Sequence, residues 1–160
     1  MKTLISVLLC LAACLPVGCK KKASQATGSQ AEGIDTKDPA VATALVVVEE
    51  FRKAWLKPDY KAAEALFTPE LKKRYSEEQL RTRVVGLPNQ EHKSCKVVSG
   101  RRVVASDDGK VEFTLRMTTF AKGGITDHMQ EEDWRIVLVR YNIDWLIDEI
   151  PVPPRGLQGG

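Results

Sequence analysis

Val111-Glu112-Phe113-Thr114-Leu115-Arg116-Met117-Thr118 alternates without a break: odd positions are apolar, even positions polar or charged. Successive side chains of an extended chain point to opposite faces, so this stretch reads as a strand with one face buried and one wet. On its C-terminal side Gly123-Gly124 turns the chain. Gln130 to Tyr141 then places Trp134, Ile136 and Leu138 on one face. Asn142 marks a tight turn into Asp144 to Ile150, where Ile143, Trp145 and Ile147 are expected to share a face. On the N-terminal side Ser106-Asp107-Asp108-Gly109 is a turn signal, preceded by a valine-rich run from Lys96 to Ala105. Four strands joined by short turns predict an antiparallel meander.

Upstream the period changes. Asp38-Pro39 is an N-cap followed by proline at the first helical position. From there Ala44, Val48, Phe51 and Trp55 recur at helical spacing, predicting a helix to about Leu56. Lys57-Pro58-Asp59 ends it, and Asp59 caps a short helix carrying Ala62, Ala63, Leu66 and Phe67. Thr68-Pro69 restarts the chain into a helical turn with Leu71 and Tyr75. Ser76-Glu77-Glu78-Gln79 has capping-box spacing, opening a last helix that ends near Gly86. Helices first and a long-stranded antiparallel sheet second make an α+β fold.

Composition bounds the rest. A chain of 160 residues, 43% hydrophobic and 28% charged, is a single ordinary globular domain with little to spare. A formal charge of +3 is too weak to argue for nucleic acid. The basic groups Lys72-Lys73-Arg74, Arg81/Arg83 and Arg101-Arg102 are not interleaved with aromatics as a single-strand binder requires.

The N-terminus has the layout of a secretory signal: Lys2, an apolar run from Leu4 to Leu11, then small residues before a cysteine. The run is too short to span a bilayer, which takes about 20 apolar residues. Leu11-Ala12-Ala13-Cys14 and Leu15-Pro16-Val17-Gly18-Cys19 both resemble the lipobox of bacterial lipoproteins, whose cysteine is acylated and becomes the first mature residue. Cys19 is the preferred lipidation site, because it leaves a signal of usual length and precedes Lys20-Lys21-Lys22; Cys14 is the alternative. Acyl chains hold the membrane by apolar transfer, and the lysines can meet anionic headgroups. The expected division is signal peptide 1–18, anchor and flexible linker 19–37, domain 38–150, and a disordered Pro/Gly tail 151–160. Within the linker, the small and polar stretch 23–37 is the flexible tether, whose ends would lie on the order of 20 Å apart. Localisation follows as the cell envelope, at the outer membrane facing the periplasm, since no aspartate follows the lipidated cysteine.

Two stretches resemble the NTF2-like superfamily, in particular its short secreted lipoproteins. One is Phe51-Arg52-Lys53-Ala54-Trp55 through Asp59-Tyr60-Lys61-Ala62-Ala63 to Phe67-Thr68-Pro69-Glu70-Leu71; the other is Trp145-Leu146-Ile147-Asp148-Glu149-Ile150. The resemblance implies a cone, in which a curved sheet wraps the long helix and leaves a cavity at one end. Some relatives use that cavity for catalysis, some for small ligands, and many only bind other proteins, so fold does not select function. Phe51, Trp55, Phe113, Met117 and Trp134 are the candidate cavity lining, with core filling as their other role.

Chemistry is sparse. His92 reads as a solvated residue at the helix-to-strand connection, and His128 as an exposed hairpin residue or half of a local pair with Asp127. Two histidines so far apart, with one cysteine in the domain, make no zinc spacing, so neither metal nor cofactor is expected. No glycine-rich phosphate loop, nucleophile elbow or His-Glu-x-x-His helix is present. Tyr60, Tyr75 and Tyr141 are placed to pack, cap or turn, and no catalytic residue is assigned. Strand carboxylates such as Glu112, Asp133 and Glu149 face Arg116, Arg135 and Arg140 as surface ion pairs. Cys95 is expected to be a buried small hydrophobe or a free thiol. A Cys19–Cys95 disulfide arises only if Cys14 carries the lipid.

The functional expectation is a membrane-tethered, non-catalytic domain that binds an envelope protein or a small apolar ligand. The alternative is an enzyme acting on a small hydrophobic substrate in the cone. A deep pocket with at least two converging carboxylate, tyrosine or histidine side chains would favour the enzyme, and a cavity filled by tryptophan and leucine would count against it.

Overall fold

The computed structural model describes residues 33–103, 109–123 and 127–152. The signal, both candidate lipid cysteines, the linker as far as 32, most of the two glycine-bearing hairpin turns and the tail from 153 lie outside the described residues. Four helices precede four strands: α1 (Pro39–Leu56), α2 (Tyr60–Glu64), α3 (Pro69–Arg74), α4 (Glu77–Val85), β1 (Gln90–Arg102), β2 (Val111–Ala121), β3 (His128–Tyr141) and β4 (Asp144–Glu149). The strands form one antiparallel sheet in sequence order. The fold is therefore α+β with a four-stranded antiparallel sheet.

Each helix begins where its capping residue stands. Asp38 accepts from the Ala40 amide, Asp59 from Ala62, Thr68 from Leu71, and Ser76 and Gln79 close a reciprocal box. These bonds satisfy amides that the first turn leaves without intrahelical partners. The caps at α2 and α3 also let a chain with Pro58 and Pro69 change direction quickly. Val41, Ala44, Val48, Phe51 and Trp55 form the buried stripe of α1, and the sheet meets it with Val111, Phe113, Leu115, Met117, Trp134, Ile136, Leu138, Trp145 and Ile147. Phe113 pairs with Ile136 and Leu115 with Trp134, so the two central strands present one continuous apolar face.

Thr68 is fully buried and serves twice. Its Oγ1 accepts from the Leu71 amide at 3.0 Å and donates to Asp148 Oδ1 at 2.8 Å, while Arg74 holds the other carboxylate oxygen at 3.0 Å. Thr68→Val keeps the shape and removes both bonds. The expected loss is about 1–2 kcal/mol in urea denaturation, with Thr68→Ser retaining most of the stability.

Both sheet edges are partly covered. Gly33 and Asp35 bond the backbone of Gly100 on β1, and Leu66 and Thr68 bond Ile147 on β4. Such cover limits the pairing of an open strand edge with other chains. The N-terminal cover corrects the linker boundary. Gly33, Ile34 and Asp35, expected to be flexible, dock on β1, and Ile34 packs against the core because its branched side chain finds apolar surface there. At the far end Val152, assigned to the tail, likewise packs against the core.

Three strand expectations also change. β1 starts at Gln90 rather than Lys96, its polar opening Gln90-Glu91-His92 being held by pairing with Ala121, Phe120 and Thr119. Ile143 does not share a face with Trp145 and Ile147; it sits 81% exposed beside Asn142, whose φ of 58° makes the tight turn. Thr118, expected on the wet face, is buried and bonded to Ser94 at 2.9 Å. The strand carboxylates do form ion pairs, with Arg135 bridging Glu112 and Glu149 and Arg116 holding Asp133.

Candidate functional site

A cavity of about 430 Å³ opens at one end of the sheet, where α1 and α4 finish, β1 begins, β2 ends and β3 begins. Trp55 comes from the last turn of α1, Thr82 and Arg83 from the last turns of α4, and Gly86 from its C-cap. Gln90 and His92 come from β1, Met117 and Thr119 from β2, and Gln130, Glu131, Glu132 and Trp134 from β3. Three of the five residues expected to line a cavity therefore meet here: Trp55, Met117 and Trp134. Phe51 and Phe113 do not reach it. Both are fully buried, Phe51 between Phe67 and Trp134, because the sheet closes on the middle of α1 and the cavity opens at its end.

His92 is where sequence reasoning went furthest astray. It is not a solvated loop residue but part of β1, half-buried, with its ring stacked on Trp55 at 3.7 Å and 5° between planes. Its Nδ1–H donates to the Trp55 carbonyl, which leaves Nε2 as the acceptor nitrogen of the neutral ring. Burial holds its pKa below the ordinary 6.5, against the Trp55 hydrogen bond, which favours the protonated ring. Gly86 makes room for it: a Cβ there would lie 2.9 Å from His92 Nε2, and the glycine sits at φ +82°.

A bulge brings His92 to this face. His92 pairs with Thr119 and Ser94 with Thr118, so Lys93 is an extra residue in β1. Strict alternation back from the buried Cys95 would turn His92 to the outer face; the extra residue reverses the phase. The valine-poor start of β1 carries no sign of this. Lys93, turned outward, lies over the Phe120 ring instead.

Arg83 closes the other side. Its guanidinium lies 4.0 Å from the centre of the Trp134 ring and its terminal nitrogen meets Glu132 Oε1 at 2.6 Å. Trp134 in turn meets Trp55 edge-on at 6.2 Å. The Nε–H groups of Trp55, Trp134 and Arg83 are buried and have no hydrogen-bond partner among the described residues. Such donors cost free energy while unmet. The lining is thus an aromatic and thioether floor under a polar rim, and less apolar than expected for a hydrophobic ligand.

The remaining candidates lie elsewhere. His128 is exposed at the start of β3, with a ring nitrogen 3.0 Å from Gln130 Nε2. Tyr60 is buried under the Arg81 guanidinium, and Tyr141 is exposed at the β3–β4 turn. Cys95 is a free, buried thiol that burial pushes up to about 12, so it carries little thiolate. Iodoacetamide is expected to leave the Cys95 peptide unlabelled in native buffer and to label it in urea, read by mass spectrometry. Cys19, the conditional disulfide partner, lies outside the described residues. Among the described residues no group of three or more His, Cys, Asp or Glu side chains is placed to hold a metal ion. No helix there is long and apolar enough to cross a membrane.

The His92 environment sets a pH dependence. Its folded pKa is lowered, so the unfolded chain takes the proton first as pH falls through about 6.5. Stability contributed by neutral His92 is full above that value, falls as pH drops toward the folded pKa, and levels below it. Urea midpoints measured across this range should show the slope, and His92→Gln should flatten it.

No protein-family model matches the chain, and no curated protein matches it in sequence. Among solved structures it is similar to a SEC-C motif containing protein from Rhodopseudomonas palustris, known from its solution structure. The two share 12% identity at a TM-score of 0.52, over 72% of this chain and 87% of the other, a likeness of fold alone.

Proposed function

We propose that the protein is a lipid-anchored component of a bacterial envelope whose NTF2-like domain binds a small molecule in the cavity between α4 and the β1–β3 end of the sheet. The observation that carries the binding reading is the lining itself. Two indoles and a methionine, almost wholly covered at 1–3% exposed, form a floor, and hydroxyl, amide, imidazole, guanidinium and carboxylate groups ring it, the mix that orients a small ligand. The polar rim shifts the expected ligand from purely apolar to amphipathic. The anchor rests on the Leu4–Leu11 run and the Gly18-Cys19 sequence before three lysines.

Catalysis is the second reading, and one observation favours it: neutral His92 shares the cavity with Glu131 and Glu132. Both carboxylates are exposed, however, and Glu132 is tied to Arg83, so neither is desolvated as a general acid or base requires. Two measurements test the proposal. Mass spectrometry of the protein extracted from membranes should find acylated Cys19 as the first residue and a small molecule released on denaturation. An unmodified N-terminus would refute the anchor. Absence of any released or saturably rebound molecule would refute the cavity reading, and turnover of a bound molecule would favour the enzyme.

A further inference from the structure

Both indoles of the cavity already have a planar partner from within the chain: His92 lies on Trp55 and Arg83 on Trp134. The two contacts differ. His92 is fixed by its bond to the Trp55 backbone. Arg83, itself 17% exposed, is held through its terminal nitrogen by a carboxylate that is 54% exposed, while its Nε is buried without a hydrogen-bond partner among the described residues. A guanidinium has five donors in a fixed fork, and this one leaves a buried donor unmet. Arg83 is also the only lysine or arginine among the residues lining the cavity, paired there with Glu132. With Arg83 swung away, an open indole face would lie next to the Glu132 carboxylate, a combination that attracts a planar cation by charge and by the ring quadrupole.

We propose that Arg83 occupies, from within the chain, a subsite built for a planar cation, and that a small molecule bearing a guanidinium or amidinium group displaces it to stack on Trp134 and pair with Glu132. The inference rests on the cavity-binding reading above and adds the ligand class. Arg83 then acts as a tethered competitor. If it covers Trp134 nine-tenths of the time, the apparent affinity of the ligand is reduced about tenfold.

The probe is agmatine, with putrescine as a non-planar cation and N-butylurea as a planar neutral molecule. Each is titrated into the full-length protein while the indole ¹H–¹⁵N signals are followed. Arg83→Ala is expected to bind agmatine about tenfold more tightly than wild type, moving the Trp134 signal while Trp145 stays still. Adding Glu132→Gln should remove most of that gain. In wild type, agmatine should drive the Arg83 Nε–H signal toward the position of free arginine, an arm that decides the question even if Arg83→Ala does not fold.

Tighter binding to wild type than to Arg83→Ala would show that Arg83 helps to hold the ligand and would overturn the proposal. Equal binding of putrescine would overturn it too, leaving charge alone as the attraction. Binding of N-butylurea without agmatine would overturn the ligand class yet leave the cavity reading standing. Silence from all three probes also overturns the proposal, and the cavity reading is then judged separately on the molecule released from membrane-extracted protein.

Discussion

Replacing Gly100 with alanine is expected to destabilise the protein by roughly 3 kcal/mol, a large share of the 5–15 kcal/mol that holds a typical domain together. A Cβ at Gly100 would lie 2.4 Å from Phe113 Cε1 and 2.5 Å from its Cδ1, inside any permitted contact. Phe113 is fully buried and cannot swing outward, and Gly100 is pinned from the other side by Gly33 and Asp35. The sheet is built around this approach, with the aromatic ring lying over a strand position that has no side chain. The measurement is urea denaturation of Gly100→Ala alone and combined with Phe113→Leu. The double variant should recover part of the loss, because the smaller side chain relieves the clash. Additive losses in the pair would show that the contact is not what makes alanine costly.

The second large effect is expected from Trp55→Ala, about 3–5 kcal/mol. Trp55 is 1% exposed, meets Trp134 edge-on and forms the surface on which His92 stacks. Its removal leaves a void at the boundary between core and cavity that water can enter. Because burial is the main cause of the lowered His92 pKa, that pKa should rise toward 6.5 in the variant. Urea denaturation reads the first effect and an NMR titration of the His92 ring the second. A stability loss with an unchanged His92 pKa would mean that other groups keep the ring dry. Trp55→Phe should retain much of both properties, since it keeps an aromatic surface.

The positions where helices begin were legible because capping is a local matter. Asp38, Asp59, Thr68 and Ser76 each accept from an amide two or three residues away, so the chemistry and its partner appear together in the sequence. The strand faces of β2 and β3 were legible for a similar reason: alternation is written into neighbouring residues. β1 was not. Its first residues are polar, and what holds them extended is the backbone of Thr119, Phe120 and Ala121, near thirty positions along the chain. The docking of residues 33–35 was hidden in the same way, since Gly33 and Asp35 are strand-like only beside Gly100.

The cavity divides along the same line. Trp55, Met117 and Trp134 could be nominated because large apolar residues at core-facing positions near the end of an element either fill a core or line its opening. Which of these each residue does depends on where the sheet closes on α1, and that placed Phe51 and Phe113 in the core. His92 could not be nominated, because its face is set by the bulge at Lys93, and Arg83 could not, because Trp134 lies on a strand that α4 meets only in three dimensions.

Local pattern alone was enough for the order of helices and strands, their capped beginnings, the α+β class and the faces of the two central strands. These depend on interactions among residues a few positions apart, whose free energies act before the chain is compact. The tertiary structure alone decided the start of β1, the docked N-terminal segment, the phase of His92 and the placing of Arg83 over Trp134. Each of those needs a partner from a distant element, and a backbone shift of one residue reverses which side chains face it.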